Sequence, residues 1–224
     1  MSNAIEVVQL TKSVETQNGL LTILKGIDFN VNSGESVAII GPSGSGKSTL
    51  LGLLAALDNP TSGSISLAGT DVTTLDEEQK AALRKDKTAF VFQSFMLVDS
   101  LTALENVMLP AELAGLSDAK TLAEQWLGRV GLADRLEHLP KQLSGGEQQR
   151  VALARAFISK PMVLFADEPS GNLDSVNGQK IADLLFELNQ QQGTTLILVT
   201  HDQTLADRCD SQWRMENGLL SKVN

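Results

Sequence analysis

The sequence predicts an α/β fold: a mostly parallel β-sheet covered by helices on both faces. Three observations carry this. Runs rich in β-formers alternate with helical patterns toward both ends of the chain, the order that builds parallel sheets from strand–helix–strand units. A glycine-rich stretch, GPSGSGKST, lies at the junction of one such strand and the helix after it. The run MVLFADE stays apolar up to two carboxylates, as a strand buried on both faces does before it leaves the sheet.

Taken in order, IEVVQL, LLTILKGIDFNV and SVAII read as strands within residues 4–40. GPSGSGKST breaks the last of them, and LLGLLAAL continues as a helix. SGSISLAG (62–69) is another strand. DEEQKAALRK (76–85) is a short helix with acids first and bases last, as the helix dipole favours. TAFVFQ (88–93) is a strand. Residues 94–159 carry no strand pattern; TALENVMLPAELAG, DAKTLAEQWLGRVGL and GEQQRVALARAFISK are helical, and the block reads as an inserted helical subdomain. The alternation then returns: the MVLFADE strand, a helix over 175–191, the strand TTLILVT, a short helix near 203–207, and a terminal ribbon around QWRMENGLL. In the 175–191 helix Ile181, Leu184, Leu185 and Leu188 share one face, and Asp174 is placed to cap it. The organisation is one domain, 1–224: a core from 1–93 and 160–224, and a helical insert at 94–159. No internal repeat or low-complexity linker is visible.

Composition narrows the function classes. The chain has 224 residues, enough for one such domain. Hydrophobic residues make up 42%, which supports a buried core and argues against disorder. A net charge of −9 and a pI near 4.7 repel a phosphate backbone, so nucleic acid is not the main partner. The single cysteine, Cys209, builds neither a disulfide nor a cysteine metal site, and an inert thiol fits a reducing compartment. MSNAIEVVQL lacks a basic region followed by an apolar run, so no signal peptide is expected. No window approaches the ~18 apolar residues that span a bilayer, so any membrane part is expected on another chain. The ribbon around MENG lies so near the end that no added C-terminal regulatory domain is expected.

GPSGSGKS, Gly41 to Ser48, fits the phosphate-loop pattern in the context that pattern needs, between strand and helix. Its glycines let the backbone curl until several N–H groups face one phosphate, and the helix N-terminus adds positive partial charge. Lys47 would reach the β- and γ-phosphates and the Ser48 hydroxyl would coordinate Mg²⁺. The plain alternative is a Gly/Ser turn ahead of a helix. At the end of MVLFADE, Asp167 can hold Mg²⁺ directly or through water, and Glu168 is placed to polarise an attacking water; alone, the pair could be two ordinary acids at a strand exit. His201 follows the strand TTLILVT. A structural histidine is the commoner case there, but that strand lies one crossover after MVLFADE, so its end points at the same crevice and the imidazole could bond a γ-phosphate. Gln93, ending FVFQ, could ligate Mg²⁺ through its carboxamide. His138, in the helical block, has no assigned role.

LSGGEQQR, Leu143 to Arg150, presents a serine and two glycines before a helix but no lysine. Ser144 and Glu147 fit a capping box. That leaves Gly145 and Gly146 idle, although glycine weakens a helix's first turn. Paired glycines suit a backbone that must approach a ligand closely. The stretch looks like half of a site whose other half lies elsewhere.

GPSGSGKST, FVFQ, LSGGEQQR, LFADE, GNLD (Gly171 to Asp174) and TH resemble, in order, the Walker A, Q-loop, signature, Walker B, D-loop and switch-histidine motifs of ABC ATPase domains. The resemblance covers essentially the whole chain. FVFQSFML, LTALENVMLP and LSGGEQQRVALARAF resemble the lipoprotein-release, macrolide-efflux and cell-division ATPases; FVFQSFML, LFADEPSGNLD, KIADLLF and GTTLILVTHD resemble the YbbA branch among them, which implies a YbbP-like permease as partner. The resemblance implies a P-loop NTPase of ABC type, with an N-terminal antiparallel β-subdomain and an inserted α-helical subdomain. It implies ATP held by Gly41, Pro42, Ser43, Gly44, Ser45, Gly46, Lys47, Ser48 and Thr49, Mg²⁺ held by Ser48, Gln93 and Asp167, and catalysis by Glu168, His201 and Gln93. Two subunits would pack head to tail, with Ser144, Gly145 and Gly146 of each closing over the other's ATP. A permease would dock near Phe95–Glu112, at the cytoplasmic face of a bacterial inner membrane, and the cargo would be hydrophobic or lipid-like.

One position departs from the family. Matching LTKSV to the strand that usually carries an adenine-stacking aromatic puts Val14 there, and the chain has no tyrosine. The expectation is modest base selectivity. An alternative keeps the ATPase and drops transport: an engine transmitting force across the membrane to periplasmic partners. A soluble DNA-repair or translation protein would want coiled coils, zinc modules or a second ATPase domain, and a non-hydrolysing scaffold would want Glu168 missing.

Overall fold

The structure is a computed structural model that describes residues 3–17 and 19–223. Two sheets organise it. The first is antiparallel: β1 (Asn3–Thr16), β2 (Gly19–Asn32), β4 (Ser62–Leu67) and β5 (Thr70–Asp71), in the order β2-β1-β4-β5. The second contains β3 (Ser36–Ile40), β6 (Thr88–Phe92), β7 (Val163–Asp167), β8 (Thr195–Val199), β9 (Ser211–Glu216) and β10 (Leu219–Lys222), in the order β10-β9-β3-β8-β7-β6. All its pairings are parallel except the terminal β9–β10 ribbon. The expected α/β class is therefore correct.

Side-chain alternation on the central strands divides the core in two. Val37, Ile39, Val163, Phe165, Ile197 and Val199 face α1 (Lys47–Leu54) and the antiparallel sheet, packing with Leu50, Leu53, Leu54 and Phe29. Leu164, Ala166, Leu196 and Leu198 face α5 (Gly145–Phe157) and α6 (Ser175–Gln192), packing with Leu153, Phe157, Ile181 and Leu185. Each such side chain, fully buried, stabilises the fold by about 1.5–3 kcal/mol. Both faces are apolar, so β3 and β8 are buried at every residue.

The helix ends follow local chemistry. Asp76 and Gln79 form a capping box at α2 (Glu77–Lys87), and Thr102 and Glu105 form another at α3 (Ala103–Leu113). Asp174 accepts from the backbone N–H groups of Val176 and Asn177, capping α6 as expected. The remaining helices are α4 (Ala119–Arg129) and α7 (Gln203–Ala206). The first hairpin is longer than IEVVQL suggests: the polar run TKSVET also pairs, Ser13 opposite Thr22 and Thr16 opposite Gly19. That end of β1 is half-buried or exposed, so hydrophobic periodicity does not mark it.

Candidate active site

Four neighbouring parallel strands, β3, β8, β7 and β6, end at one edge of the sheet. Their exits supply the phosphate loop, His201, the Asp167–Glu168 pair and Gln93. All of these line one cleft of about 630 Å³, together with Leu21 and Ile23 of β2. The structure brings the main sequence candidates to one cleft, and sheet order explains why they meet.

The loop is shaped by glycine. Gly41 has φ 153°, Gly44 76° and Gly46 105°. A Cβ on Gly41 would stand 2.1 Å from the carbonyl oxygen of Met215, so the terminal ribbon packs on the loop where only glycine fits. Gly46 caps α1 in the left-handed conformation; no side chain caps this end and its first turn holds no acid. An uncapped helix N-terminus without acids suits an anion. Lys47 Nζ donates to the carbonyls of Gly41, at 2.8 Å, and Pro42, at 3.0 Å, which holds it over the loop.

The Ser48 hydroxyl donates to Asp167 at 3.5 Å. Burial, with the charge of Glu168 beside it, pushes the Asp167 carboxyl above its usual range, against the hydrogen bond from Ser48 and the charge of Lys47. Two hard oxygens facing each other, one on a carboxylate in need of positive charge, fit Mg²⁺. Among the described residues no group of three or more His, Cys, Asp or Glu could hold a metal. The donor set thus suits a cation that takes its other oxygens from phosphate.

Glu168 adopts φ 47°, left-handed for a non-glycine residue. Its N–H donates to Val199 O at 2.9 Å. One carboxylate oxygen bonds His201 Nδ1 at 2.8 Å; the other accepts from the Thr200 hydroxyl at 3.3 Å. Its side chain is 18% exposed, that of His201 74%. A fixed carboxylate thus sits at the cleft floor beside a histidine open to it. Gln93 Nε2 donates to Asn172 Oδ1 at 3.0 Å, and Asn172 Nδ2 donates back to Gln93 O at 2.9 Å. The carboxamide oxygen is then the end of Gln93 that can face a cation. Sequence reasoning assigned neither Thr200 nor Asn172 a role, although both sit inside quoted motifs.

Ser144, Gly145 and Gly146 do not line this cleft. Ser144 caps α5, and the Glu147 carboxylate accepts from its N–H and its hydroxyl, each at 2.8 Å. These bonds to Ser144, joined by Arg135, hold the Glu147 carboxyl below the usual range. A Cβ on Gly145 would lie 3.1 Å from Leu173, whereas one on Gly146 would only meet Asn177 at 3.8 Å. Gly145 therefore has a packing reason within its own chain, which corrects the reading that capping leaves both glycines idle. Val14 sits opposite Leu21 in the hairpin and is not in the cleft lining, whereas Leu21 is. Burial, and the charge of Asp210 beyond it, pushes the Cys209 thiol up to about 12, so it is inert.

The ABC transporter family pattern matches residues 24–171. The chain belongs to the ABC transporter family. It is 57% identical to YbbA of Escherichia coli, named an uncharacterized ABC transporter ATP-binding protein, across 98% of this chain and 97% of that one. It is 49% identical to LolD of Hahella chejuensis, named a lipoprotein-releasing system ATP-binding protein, across 91% of this chain and 89% of that one. A solved dimer of the ATP-binding cassette MJ0796, titled as a post-hydrolysis state with ADP and Pi, superposes with a TM-score of 0.89 at 37% identity, covering 98% of this chain and 99% of that one. The chain is thus an ABC ATPase, the ATP-binding subunit of a transporter, on the P-loop fold expected. Among the described residues no helix is long and apolar enough to cross a membrane.

Proposed function

We propose that this ABC ATPase works as a homodimer on the cytoplasmic face of a bacterial inner membrane, where ATP-driven closure drives a separate permease. The observation that carries the reading is the convergence of the phosphate loop, Asp167, Glu168, His201 and Gln93 on one cleft. The loop N–H groups and Lys47 bind the phosphates. Glu168, held on three sides, takes the proton of the attacking water. His201, bonded to Glu168, faces the γ-phosphate. Ser48, Asp167 and the Gln93 oxygen would hold Mg²⁺, which, when bound, neutralises charge on the phosphate oxygens.

Ser144, Gly145 and Gly146 lie outside their own chain's cleft, and MJ0796 has been solved as a dimer. Both facts support a head-to-tail pair in which Ser144 of the partner subunit covers the γ-phosphate. ATP binds the closed pair better and so shifts the population toward closure. The domain reading, a core of 1–93 and 160–224 with a helical insert at 94–159, puts each signature on the insert. The permease reading gains a concrete surface: Phe90, Phe92, Leu109, Pro110 and Leu113 line an apolar groove of about 280 Å³. Beside it, Met96 and Val98 are exposed, and Arg155 fixes the Phe95 and Met96 carbonyls. A YbbP-like permease follows from the likeness to YbbA, and lipid-like cargo fits the relative named for lipoprotein release.

The test is Glu168→Gln in purified protein with MgATP. ATP binding should persist, turnover should fall by about 10²–10⁴-fold, and a stable dimer should appear by size exclusion. Near-normal hydrolysis would remove Glu168 from the base role.

A further inference from the structure

Gln149 lies on α5, five positions beyond the Ser144 cap, with 0% of its surface exposed. A glutamine so deeply buried needs its carboxamide satisfied. Its Nε2 donates to the carbonyl of Pro169 at 2.7 Å, while its Oε1 finds no partner among the described residues. Half of a buried amide left unpaired is unfavourable. An apolar side chain of the same length would avoid that, so the donor half is what distinguishes glutamine here.

The acceptor it reaches is informative. Pro169 directly follows Glu168, and a residue before proline is driven toward extended backbone. Glu168 instead holds φ 47°. Such a conformation persists only where its surroundings over-determine it. Three hydrogen bonds hold the backbone of Glu168 and Pro169: Glu168 N–H to Val199 O at 2.9 Å, Gly171 N–H to Glu168 O at 3.0 Å, and Gln149 Nε2 to Pro169 O. The first two come from the sheet and the local turn. The third alone comes from α5, the helix that begins at the signature segment.

We infer that Gln149 is a positioning residue that fixes the Pro169 carbonyl, one residue beyond Glu168, and with it the catalytic carboxylate, to the helix that begins at the signature segment. In a head-to-tail dimer that helix serves one ATP and Glu168 serves the other. Gln149 is then a direct link inside one subunit between the two sites. A shift of α5 on closure would reach Glu168 through this bond, beside the packing of α5 on β7. The inference rests on the reading of Glu168 as the base.

The deciding variant is Q149M, which keeps length and volume but removes both the donor and the unpaired acceptor. Steady-state ATPase, equilibrium MgATP binding and thermal unfolding are measured on the full chain. The expected result is a kcat lowered about ten- to a hundred-fold, the scale of a small misplacement of a reacting group, with ATP affinity and KM unchanged and Tm equal or higher. A purely structural role predicts the reverse order: Tm and ATP binding fall along with kcat. Wild-type kcat, or losses of all three together, overturns the inference. Q149E gives a second reading. As a carboxylate it cannot donate to Pro169; protonated, it can, so its kcat relative to wild type should rise from pH 8 toward pH 6. A ratio of one at a pH where infrared spectroscopy shows the introduced carboxyl of Q149E ionised overturns the inference even if Q149M does not fold. If E168Q itself retains turnover, the reading of Glu168 fails; if E168Q loses turnover and Q149M keeps it, only the role of Gln149 fails.

Discussion

The starts of α1 and α5 are two answers to one problem. Each helix begins at a glycine-rich segment, and each must dispose of unpaired N–H groups in its first turn. At α1 the chain leaves them uncapped: Gly46 is left-handed, no side chain caps the end, no acid follows, and Lys47 stands over the loop. At α5 the chain satisfies two of them itself: Ser144 and Glu147 bond each other's backbone N–H, and Arg135 braces Glu147. The glycines differ too. Those of the first loop have positive φ that side chains rarely adopt; Gly145 and Gly146 are helical. The first end is built to receive an anion unaided. The second is complete as a helix cap, so a phosphate brought to it has to compete with Glu147 for the Ser144 hydroxyl.

The largest expected effect sharpens that contrast. Gly146→Asp places an acid at the second position of α5, where its Cβ would meet the Asn177 side chain at an ordinary 3.8 Å. Loss of a helical glycine and the dipole interaction should leave the monomer equally stable, or more stable by about 0.5–1 kcal/mol. Turnover should fall by about 10²–10³-fold, because in the proposed head-to-tail pair an anion would then occupy the face that meets the partner's γ-phosphate. Unchanged turnover would mean that α5 never meets phosphate. Gly145→Asp is the poorer probe, since its Cβ meets Leu173 at 3.1 Å and packing would confound the result.

Next is Lys47→Ala. The loop should keep its shape, because its glycines and the Met215 contact set it, but the charge on the phosphates is lost. MgATP affinity should fall about a hundredfold, in the range for truncating one member of a charged pair. A change in kcat alone, at wild-type affinity, would show that Lys47 serves only the reaction step.

How much of this was legible beforehand follows from the same contrast. Strand exits were readable because continuous apolar runs stop abruptly at Gly41, Asp167 and His201. The parallel order that brings those exits together follows from strand–helix alternation. Thr200, Asn172 and Gln149 were not assigned because each acts through a single polar contact set by tertiary packing, and a lone polar residue has no periodicity. The polar half of β1 escaped for a related reason: it is paired but scarcely buried. Gly145 was half-read; its need for smallness was clear, but the Leu173 side chain behind it comes from the loop before α6.

A smaller effect tests whether the α5 cap is a cap in its own right. Hydrogen bonds from Ser144 depress the folded Glu147 pKa, so its stabilisation is present above the unfolded value, about 4.3, and is lost as pH falls through the lower folded one. Glu147→Ala should therefore destabilise by about 1 kcal/mol at pH 7. The gap from wild type should close toward pH 2 in denaturant titrations. A gap independent of pH would assign the loss to packing against Arg135 rather than to the charged cap.

The smallest effect concerns the far end of the nucleotide. The cleft wall near the loop is aliphatic, Leu21 and Ile23, and among the described residues no Phe, Trp or Tyr lines the cleft. Aliphatic contact buries a purine but discriminates poorly between bases, whereas an aromatic pair adds about 0.5–1.5 kcal/mol. ATP and GTP should therefore differ by less than about tenfold in kcat/KM. Leu21→Ala should raise KM for both by a similar, few-fold factor, since it removes area and no base-reading group. Val14→Ala, one strand away and outside the lining, should change neither. If instead Val14→Ala weakens ATP and Leu21→Ala does not, the base lies against β1, as matching LTKSV to the family's strand implies, and the hairpin must bring Val14 to the nucleotide when it binds.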